Sequence, residues 1–507
     1  MPISRRNFLV TAAATTLAPR SLAQQSGFSF DTVKDKAADL ARHPFADDSP
    51  PLPAPLKALD YTHFRMINFR PEQALWRDAG LFQVELFHRG FVYDRKVSVN
   101  TIEDGQAKEI TYSPDLFDFR QNDFKADFDS SLGFSGFRLH FPLNRADYFD
   151  EFAVFQGASY FRLIGRGQQY GLSARGLTID TAGPQGEEFP RFREFWLERP
   201  QAGTTWITIY ALLDSRSTTG AYKFVLLPDA ETLARVEVTL FPRLDINKLG
   251  LAPLTSMFSH GKPGNRPFVD VRPEVHDSDG MLLSTGAGEW IWRPLVNPRA
   301  LQVTRYADAG PKGFGLMQRE RNFRAYEDLE SNYQLRPSAW IEPDGDWARG
   351  GVELVEIPSD EEINDNIVTY WVPEGPIKAA EAFSYAYHMR MVTRDAALPA
   401  TGRCSATRFA PLKPVDAGKD DRRGAYRFWV DFNSGDIPTL GPGMPVDAVI
   451  STSAGKLDNV YSQKNGDAWR AVFTFTPDGG NDADLRAYLS LRGSPLTETW
   501  SYHWSGA

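Results

Sequence analysis

Two acidic segments of the sequence carry side chains that could do acid–base chemistry. The first is His276-Asp277-Ser278-Asp279-Gly280, and the second covers residues 360–366 and includes Glu362 and Asp365. Both lie among turn and aromatic residues and outside charged helical faces. Hydrolysis of an acetal needs two carboxyl groups across one bond, one protonated to assist the leaving oxygen and one ionised to activate water. The two segments are therefore candidates for such a pair.

Aromatic side chains could supply flat faces for sugar rings. The candidates are Trp290, Trp292, Trp340 and Trp371. Each of these features also has a structural interpretation, because Asp-Ser-Asp-Gly is a common turn sequence and acids before an apolar run are typical of a solvated loop. Tryptophans beside strands are more often core residues than ligand platforms. Residue types alone leave catalysis and structure open as alternatives.

The motifs of several other mechanisms are absent from the sequence. It contains no Gly-x-x-x-x-Gly-Lys phosphate loop, no Gly-x-Ser-x-Gly elbow and no His-Glu-x-x-His helix. No two of the eight histidines stand at ligand spacing, and Cys404 is the only cysteine. An intramolecular disulfide and a cysteine-based zinc site are thereby excluded. The sequence predicts neither a metal site nor a cofactor.

Composition indicates a folded, mainly β protein. Of 507 residues, 42% are hydrophobic and 24% are charged, which is ordinary for globular proteins. The 35 Phe, 18 Tyr, 12 Trp, 40 Gly and 35 Pro favour many short strands joined by turns. The net charge is −9 with no block of five or more like charges, so nucleic acid and anionic membranes are poor candidate partners.

The hydrophobic pattern predicts one short helix followed by many strands. The helix covers residues 30–43, and a further helical turn is predicted at 72–78. Predicted strands of a large β region cover residues 83–87, 91–97, 137–141, 205–212, 222–227, 234–240, 290–294, 301–306 and 351–357. Residues 394–413 lose the periodicity and indicate a boundary. Beyond it, strands at 425–433, 448–452, 460–463, 469–476, 483–492 and 498–504 match the size of an immunoglobulin-like sandwich.

The first 23 residues are typical of an export signal. A basic start, an apolar run too short to span a bilayer and small residues before Gln24 match that class. Ser4-Arg5-Arg6-Asn7-Phe8-Leu9 fits the twin-arginine pattern. The remaining sequence has no run long enough for a membrane span. We therefore expect a periplasmic protein with a signal at 1–23, a large domain at 24–395 and a smaller domain at 404–507.

Long blocks of the sequence resemble the periplasmic glucans biosynthesis proteins, the OpgG/OpgD (MdoG/MdoD) family. Matching segments occur in the same order along the chain, and they are residues 157–162, 169–180, 210–214, 219–222, 249–258, 288–295, 311–316, 336–343 and 365–368 with Trp371. The resemblance implies a large N-terminal β-sandwich of the galactose-mutarotase-like kind, followed by an immunoglobulin-like sandwich. It also implies a role in making osmoregulated periplasmic glucans, whose backbone is β-1,2-linked glucose.

D-type members of this family look like inverting endo-β-1,2-glucanases, and the twin-arginine signal favours the D-type for this chain. Carried over by position, the general acid of the family matches Asp365, and its base matches Asp277. Three further residues match positions that hold sugar hydroxyls or help to move a proton, namely Tyr333, Arg336 and Glu362. Trp290 and Trp371 complete the predicted substrate-binding set.

Two rival functions remain open on the sequence. One is a β-1,2-glucan transglycosylase that uses the same residues, and the other is a non-catalytic glucan-binding protein, because fold alone does not decide function. The sequence also leaves open the glucan length preference, the role of the C-terminal domain and a proton relay between Asp277 and water. It does not settle the oligomeric state, so a homodimer is among the alternatives.

Overall fold

The structure is a computed structural model that describes residues 27–122, 124–125, 127–262, 270–394, 398–412, 424–479 and 482–505. The export signal predicted at residues 1–23 lies outside these ranges. The described part is mainly β, as the sequence predicts, and its helices are short. The α-helices are α1 Phe30–Ala41, α2 Ala54–Lys57, α3 Tyr61–Arg65 and α4 Phe323–Tyr326. Single 3-10 turns occur at Pro71–Gln73, Pro114–Leu116, Ser130–Leu132, Tyr333–Leu335 and Ile437–Thr439.

Strands β1 to β16 come from the first half of the chain. They are β1 Asn68–Phe69, β2 Gln83–His88, β3 Ser98–Glu103, β4 Gln106–Glu109, β5 Phe117–Asp118, β6 Phe134–Arg145, β7 Tyr148–Gln156, β8 Tyr160–Leu163, β9 Ser173–Arg175, β10 Leu177–Ile179, β11 Arg191–Glu198, β12 Ile207–Asp214, β13 Thr218–Leu227, β14 Thr232–Pro242, β15 Leu249–Ser256 and β16 Phe258–His260.

Strands β17 to β33 follow. They are β17 Val275–His276, β18 Gly280–Ser284, β19 Trp290–Pro294, β20 Gln302–Ala309, β21 Gly313–Met317, β22 Ser338–Asp344, β23 Arg349–Glu356, β24 Ile367–Pro373, β25 Phe383–Val392, β26 Arg403–Pro411, β27 Tyr426–Asn433, β28 Val446–Thr452, β29 Lys456–Asn465, β30 Ala468–Thr476, β31 Ala483–Leu491, β32 Ser494–Pro495 and β33 Thr499–Trp504.

Two large sheets pack face to face to form the first sandwich. One has the order β2-β6-β7-β8-β9-β15-β24-β23-β20, with β10 also paired to β15. The other runs β28-β31-β33-β19-β18-β21-β22-β25-β14-β13-β12-β11-β3-β4, with β32 paired to β31. Aromatic rings from the two sheets meet in the core, because Phe137 lies 5.0 Å from Phe195 and Phe161 lies 5.4 Å from Phe224. Such interdigitating inner faces define a β-sandwich.

A second sandwich forms where the sheet β26-β27-β30-β29 covers the C-terminal strands of the long sheet. Phe428 and Phe473 of the small sheet lie 6.0 and 6.2 Å from Trp500 of β33. Strand β33 also pairs in parallel with β19, so the C-terminal strands continue the long sheet of the first sandwich. The domain boundaries proposed from the sequence stay a prediction.

Most predicted strands are confirmed, and two segments are corrected. Residues 91–97 form no strand, because Phe91 has a left-handed φ of 53° and the chain turns with a hydrogen bond from the Tyr93 N–H to the Gly90 carbonyl. Conversely, β26 lies in the segment taken as an irregular boundary. A β-bulge between Cys404 and Ala406 disturbs its alternation, which hides the strand from pattern analysis.

Candidate active site

The two candidate carboxylates flank one short backbone segment, Ser256-Met257-Phe258, which joins β15 to β16. The backbone N–H of Asp277 donates to the Met257 carbonyl at 2.8 Å, and the backbone N–H of Asn366 donates to the Ser256 carbonyl at 3.1 Å. On one side β24 pairs with β15 at Ser256, and on the other β17 pairs with β16 at Phe258. Since neighbouring strands lie about 4.8 Å apart, the backbones beside the two aspartates are about 10 Å apart.

The side chain of Asn366 fixes the segment that carries Asp365. Its Oδ1 accepts from the Phe258 N–H at 2.8 Å, and its Nδ2 donates to the carbonyls of Phe258 and Ile357 at 3.0 and 3.1 Å. Asn366 is 2% exposed, so these bonds form away from water. The neighbouring residue Asp365 is exposed. A buried clamp thus presents an accessible carboxyl group.

Asp365 has the environment of a carboxyl group that can hold a proton. Desolvation by the surrounding protein raises its pKa, while the positive charges of Arg162, Arg175 and Arg336 act in the opposite direction. Among the described residues, no hydrogen-bond or ion-pair partner of its carboxylate is found. The group is therefore accessible and unpaired, with a pKa raised above that of an ordinary aspartic acid.

Asp277, in contrast to Asp365, is buried and has a charged partner. It is 5% exposed, and its Oδ1 accepts from the Arg336 guanidinium in an ion pair. The same guanidinium lies 4.1 Å from the centre of the Tyr333 ring. Burial and the charge of Arg162 lower the pKa of Arg336 to about 10, while the charges of Glu362 and Asp365 act in the opposite direction. Arg336 therefore remains a cation at neutral pH. An adjacent cation favours the ionised form of a carboxyl group, as a base requires.

Tyr333 and Glu362 lie beside this pair. Tyr333 is 2% exposed, and burial, followed by the charge of Glu362, raises its pKa to about 12. Glu362 is exposed and accepts from Arg272 at 2.5 Å. The Tyr333 ring therefore supports the Arg336 guanidinium, while Glu362 is accessible from solvent. Five of the seven residues predicted from the sequence are thus brought together.

Neither Trp290 nor Trp371 lies in this group. Trp371 is 0% exposed and packs 6.3 Å from Trp347 in the core of the first sandwich, so the prediction of a sugar-stacking face there is wrong. Trp290 is half-buried and stacks on Trp340 at 5.7 Å, beside the core of the second sandwich. Trp371 is therefore part of the first core, and Trp290 packs against the second.

Two arginines that the sequence analysis did not single out belong to the site. The exposed Arg162 donates to the Ser173 hydroxyl at 2.7 Å, and the buried Arg175 donates to the Thr255 hydroxyl at 2.9 Å. Arg175 also lies 4.7 Å from the centre of the Tyr160 ring. Both occur in sequence blocks that match the family, but only the fold shows that they face Asp365.

The described residues contain no cluster of three or more His, Cys, Asp or Glu side chains placed to hold a metal ion. The same part of the chain has no helix long and apolar enough to cross a membrane. The thiol of Cys404 is buried, which raises its pKa to about 12 and makes it a poor nucleophile.

Comparison with known proteins finds similarity along almost the whole chain. A family model described as "Periplasmic glucan biosynthesis protein, MdoG" matches residues 28–504. The chain belongs to this family. Its members act in periplasmic glucan biosynthesis, so the protein has a role in that process.

Similar proteins come from several bacteria. The chain is 43% identical to glucans biosynthesis protein G of Rhodopseudomonas palustris over 513 residues, covering 99% of this chain and all of the relative. It is 44% identical to glucans biosynthesis protein G of Ralstonia nicotianae over 499 residues, covering 97% of this chain and 98% of the relative. Glucans biosynthesis protein G 1 of Shewanella oneidensis is 44% identical over 94% of this chain and 87% of its own length. These names give no support to the D-type assignment.

Proposed function

We propose that the protein is an inverting endo-β-1,2-glucanase that cuts the backbone of osmoregulated periplasmic glucans and so controls its length. The observation that carries the proposal is the contrast between two carboxylates on either side of Ser256-Met257-Phe258. Asp365 is unpaired with a raised pKa, whereas Asp277 is paired with Arg336. Carboxyl groups whose environments differ in this way divide into a general acid and a general base.

In this proposal Asp365 is the general acid. Its accessible carboxyl group donates a proton to the glycosidic oxygen as the bond to the anomeric carbon breaks. The leaving sugar then departs as a neutral alcohol. Such proton transfer contributes about 10²- to 10⁴-fold to the rate.

Asp277 acts as the base on the other side. It removes a proton from the attacking water, either directly or through a hydroxyl of the sugar, and the new bond forms on the face opposite the leaving group. In inverting enzymes the two carboxyl groups are about 6.5–9.5 Å apart with the water between them, whereas in retaining enzymes they are about 5 Å apart. The position of Asp277 and Asp365 on opposite sides of Ser256-Met257-Phe258 supports the wider, inverting arrangement. The adjacent Arg336 cation favours the ionised form of Asp277, which can accept this proton.

The neighbouring cations hold the sugar. Arg162 and Arg336 carry several N–H donors near Asp365, and such donors bind sugar hydroxyls without requiring an anionic substrate. The protein's own carboxylates, including Glu187 on Arg175, balance much of this positive charge. The site therefore suits a neutral polysaccharide better than a phosphorylated one.

Export through the twin-arginine pathway to the periplasm is part of this proposal. The pattern at residues 4–9 supports it, and the family acts on periplasmic glucans. A folded chain with a single buried cysteine needs no disulfide chemistry after export.

The test is to incubate the mature protein with linear β-1,2-glucan and follow the chain lengths of the products. We expect shorter chains from the wild type and a loss of about 10²-fold or more for Asp365→Asn. The matched control is Glu361→Gln, which changes another exposed carboxylate of the same loop. Glucan binding by Asp365→Asn, measured by calorimetry, should persist.

The rival functions have distinct results in this experiment. Products longer than the input glucan would identify a transglycosylase. Glucan that binds but keeps its length with the wild type would identify a glucan-binding protein and overturn the proposal. Equal activity of Asp365→Asn and Glu361→Gln would overturn the assignment of the acid.

A further inference from the structure

A cluster of buried polar side chains includes the residue that directly precedes Asp277. It consists of Glu274, His276 and Gln318, which are 6%, 0% and 1% exposed. His276 Nδ1 lies 2.8 Å from Gln318 Oε1, and His276 Nε2 lies 3.0 Å from Glu274 Oε2. None of the three has a role in the proposed mechanism. Buried polar side chains are costly unless every donor and acceptor is satisfied, so the pattern of hydrogen bonds reveals where the protons are.

Gln318 fixes one of these protons. Its amide nitrogen donates to the carbonyls of His276 and Tyr333 at 2.8 and 3.2 Å, which uses both of its N–H groups. Its oxygen must therefore face His276, where it can only accept. It follows that Nδ1 of His276 carries a hydrogen, an assignment made from the hydrogen-bond network.

Glu274 holds the other ring nitrogen. Its Oε2 lies 3.0 Å from His276 Nε2, and Lys262 lies 3.1 Å from its Oε1 and favours the carboxylate. Burial opposes this, but the hydrogen bond to His276 and the charge of Lys262 lower the pKa of Glu274. Both ring nitrogens of His276 therefore have a buried hydrogen-bond partner, which fixes the orientation of the ring.

Two aromatic rings and a glycine shape the space around the His276 ring. Phe258 stacks on it at 5.4 Å, and Tyr326 meets it edge-on at 5.2 Å. A Cβ at Gly261 would lie 2.9 Å from the imidazole Cδ2, so glycine leaves the space that the ring occupies.

The cluster connects both partners of the Asp277–Arg336 ion pair. Asp277 follows His276 directly, and the carbonyl that Gln318 holds belongs to Tyr333, whose ring lies under the Arg336 guanidinium. We propose that His276, held between Glu274 and Gln318, is a positioning residue that fixes Asp277 and the Tyr333–Arg336 turn relative to each other. This inference rests on the proposed function in treating Asp277 as the base.

The kinetic test compares two glutamates that share Lys262. Glu274 and Glu320 each lie 3.1 Å from its Nζ, but only Glu274 contacts His276. Glu274→Gln keeps the shape of the side chain and removes its charge, and Glu320→Gln is the matched control. We expect Glu274→Gln to lower kcat for β-1,2-glucan by about 10²-fold with KM little changed, because slight misplacement of a reacting group is costly. Glu320→Gln should behave like the wild type. Equal kcat values for the two variants would overturn the inference.

Two measurements decide the inference without activity. In the nitrogen NMR spectrum of the histidine-labelled wild type, Nδ1 of His276 should carry a hydrogen, because it faces the acceptor oxygen of Gln318. A crystal structure of Glu274→Gln should show the Asp277–Arg336 ion pair displaced. A bare Nδ1 in the wild type, or an unchanged ion pair in the variant, would contradict the positioning role. Failure of the wild type to cut glucan would refute the proposed function and leave these two results to stand on their own.

Discussion

Asp277 and Asp365 differ in what surrounds their carboxyl groups, and this difference is the basis of the proposed chemistry. Asp365 is accessible and lacks a direct partner among the described residues, while Asp277 is buried against Arg336. Three arginines still act on Asp365 and limit the rise in its pKa. The pH at which the acid loses its proton is therefore adjustable through residues that do not take part in proton transfer.

The pH dependence of kcat/KM tests this residue-scale account. Activity should fall as pH rises through the raised pKa of Asp365, because the acid must be protonated. Arg162→Gln removes a positive charge that lowers this pKa, so the alkaline limb should move to higher pH. Arg166→Gln, which changes an exposed arginine paired with Asp229, is the control and should leave the limb in place. An unchanged limb in Arg162→Gln would show that another group is the acid.

Replacing Asp365 with Asn should increase stability at pH 7, although it removes activity. A folded-state pKa raised above the unfolded value means that the ionised group opposes folding above the unfolded pKa. Asp365→Asn should therefore have a higher Tm than the wild type at pH 7, and the two values should converge as pH falls below the unfolded pKa. A lower Tm for the variant at pH 7 would contradict the raised pKa.

At the scale of elements, the strand pairings around Ser256-Met257-Phe258 bring distant parts of the sequence together. The alternation of apolar residues predicted many strands, and the family blocks predicted Asp277 and Asp365. Neither could show that β17 and β24 flank one segment, since pairing depends on long-range register. The wrong prediction for the buried Trp371 has the same origin, because residue type does not tell which face of a strand another sheet covers.

The Asn366 clamp can be tested at this scale. Asn366→Ala leaves the N–H of Phe258 and the carbonyls of Phe258 and Ile357 without their partner. We expect a loss of about 3 kcal/mol in the free energy of unfolding, since each orphaned buried group costs about 1–3 kcal/mol. Asn364→Ala, at an exposed position of the same loop, is the control. Urea unfolding measures both, and equal stability of the two variants would refute the clamp.

At the scale of the whole molecule, the C-terminal sandwich is joined to the first by a continuous sheet and by buried charges. Glu498 accepts from Arg319 at 2.6 and 2.9 Å and from the Cys404 N–H at 2.8 Å, and its side chain is 0% exposed. Local periodicity in the sequence predicts the strands on both sides of residues 394–413 but contains no information on the β19–β33 pairing.

Thermal and urea unfolding test this connection. Glu498→Gln breaks a buried ion pair and should cost about 3–5 kcal/mol. Glu289→Gln, which changes a half-exposed partner of Arg486 near the same sheet, should cost about 1 kcal/mol or less. We expect one cooperative transition in both proteins, shifted much further in Glu498→Gln. Two separate transitions in the wild type would show that the sandwiches unfold independently.

The stereochemistry of the first product tests the central claim most directly. Proton NMR can follow the anomeric signal of the new reducing end during early cleavage of linear β-1,2-glucan, before mutarotation. In the proposed mechanism water attacks the anomeric carbon from the face opposite the leaving group, so the α-anomer should appear first and should be absent with Asp365→Asn. Initial formation of the β-anomer would contradict the account, because it would require a covalent intermediate and a different role for Asp277.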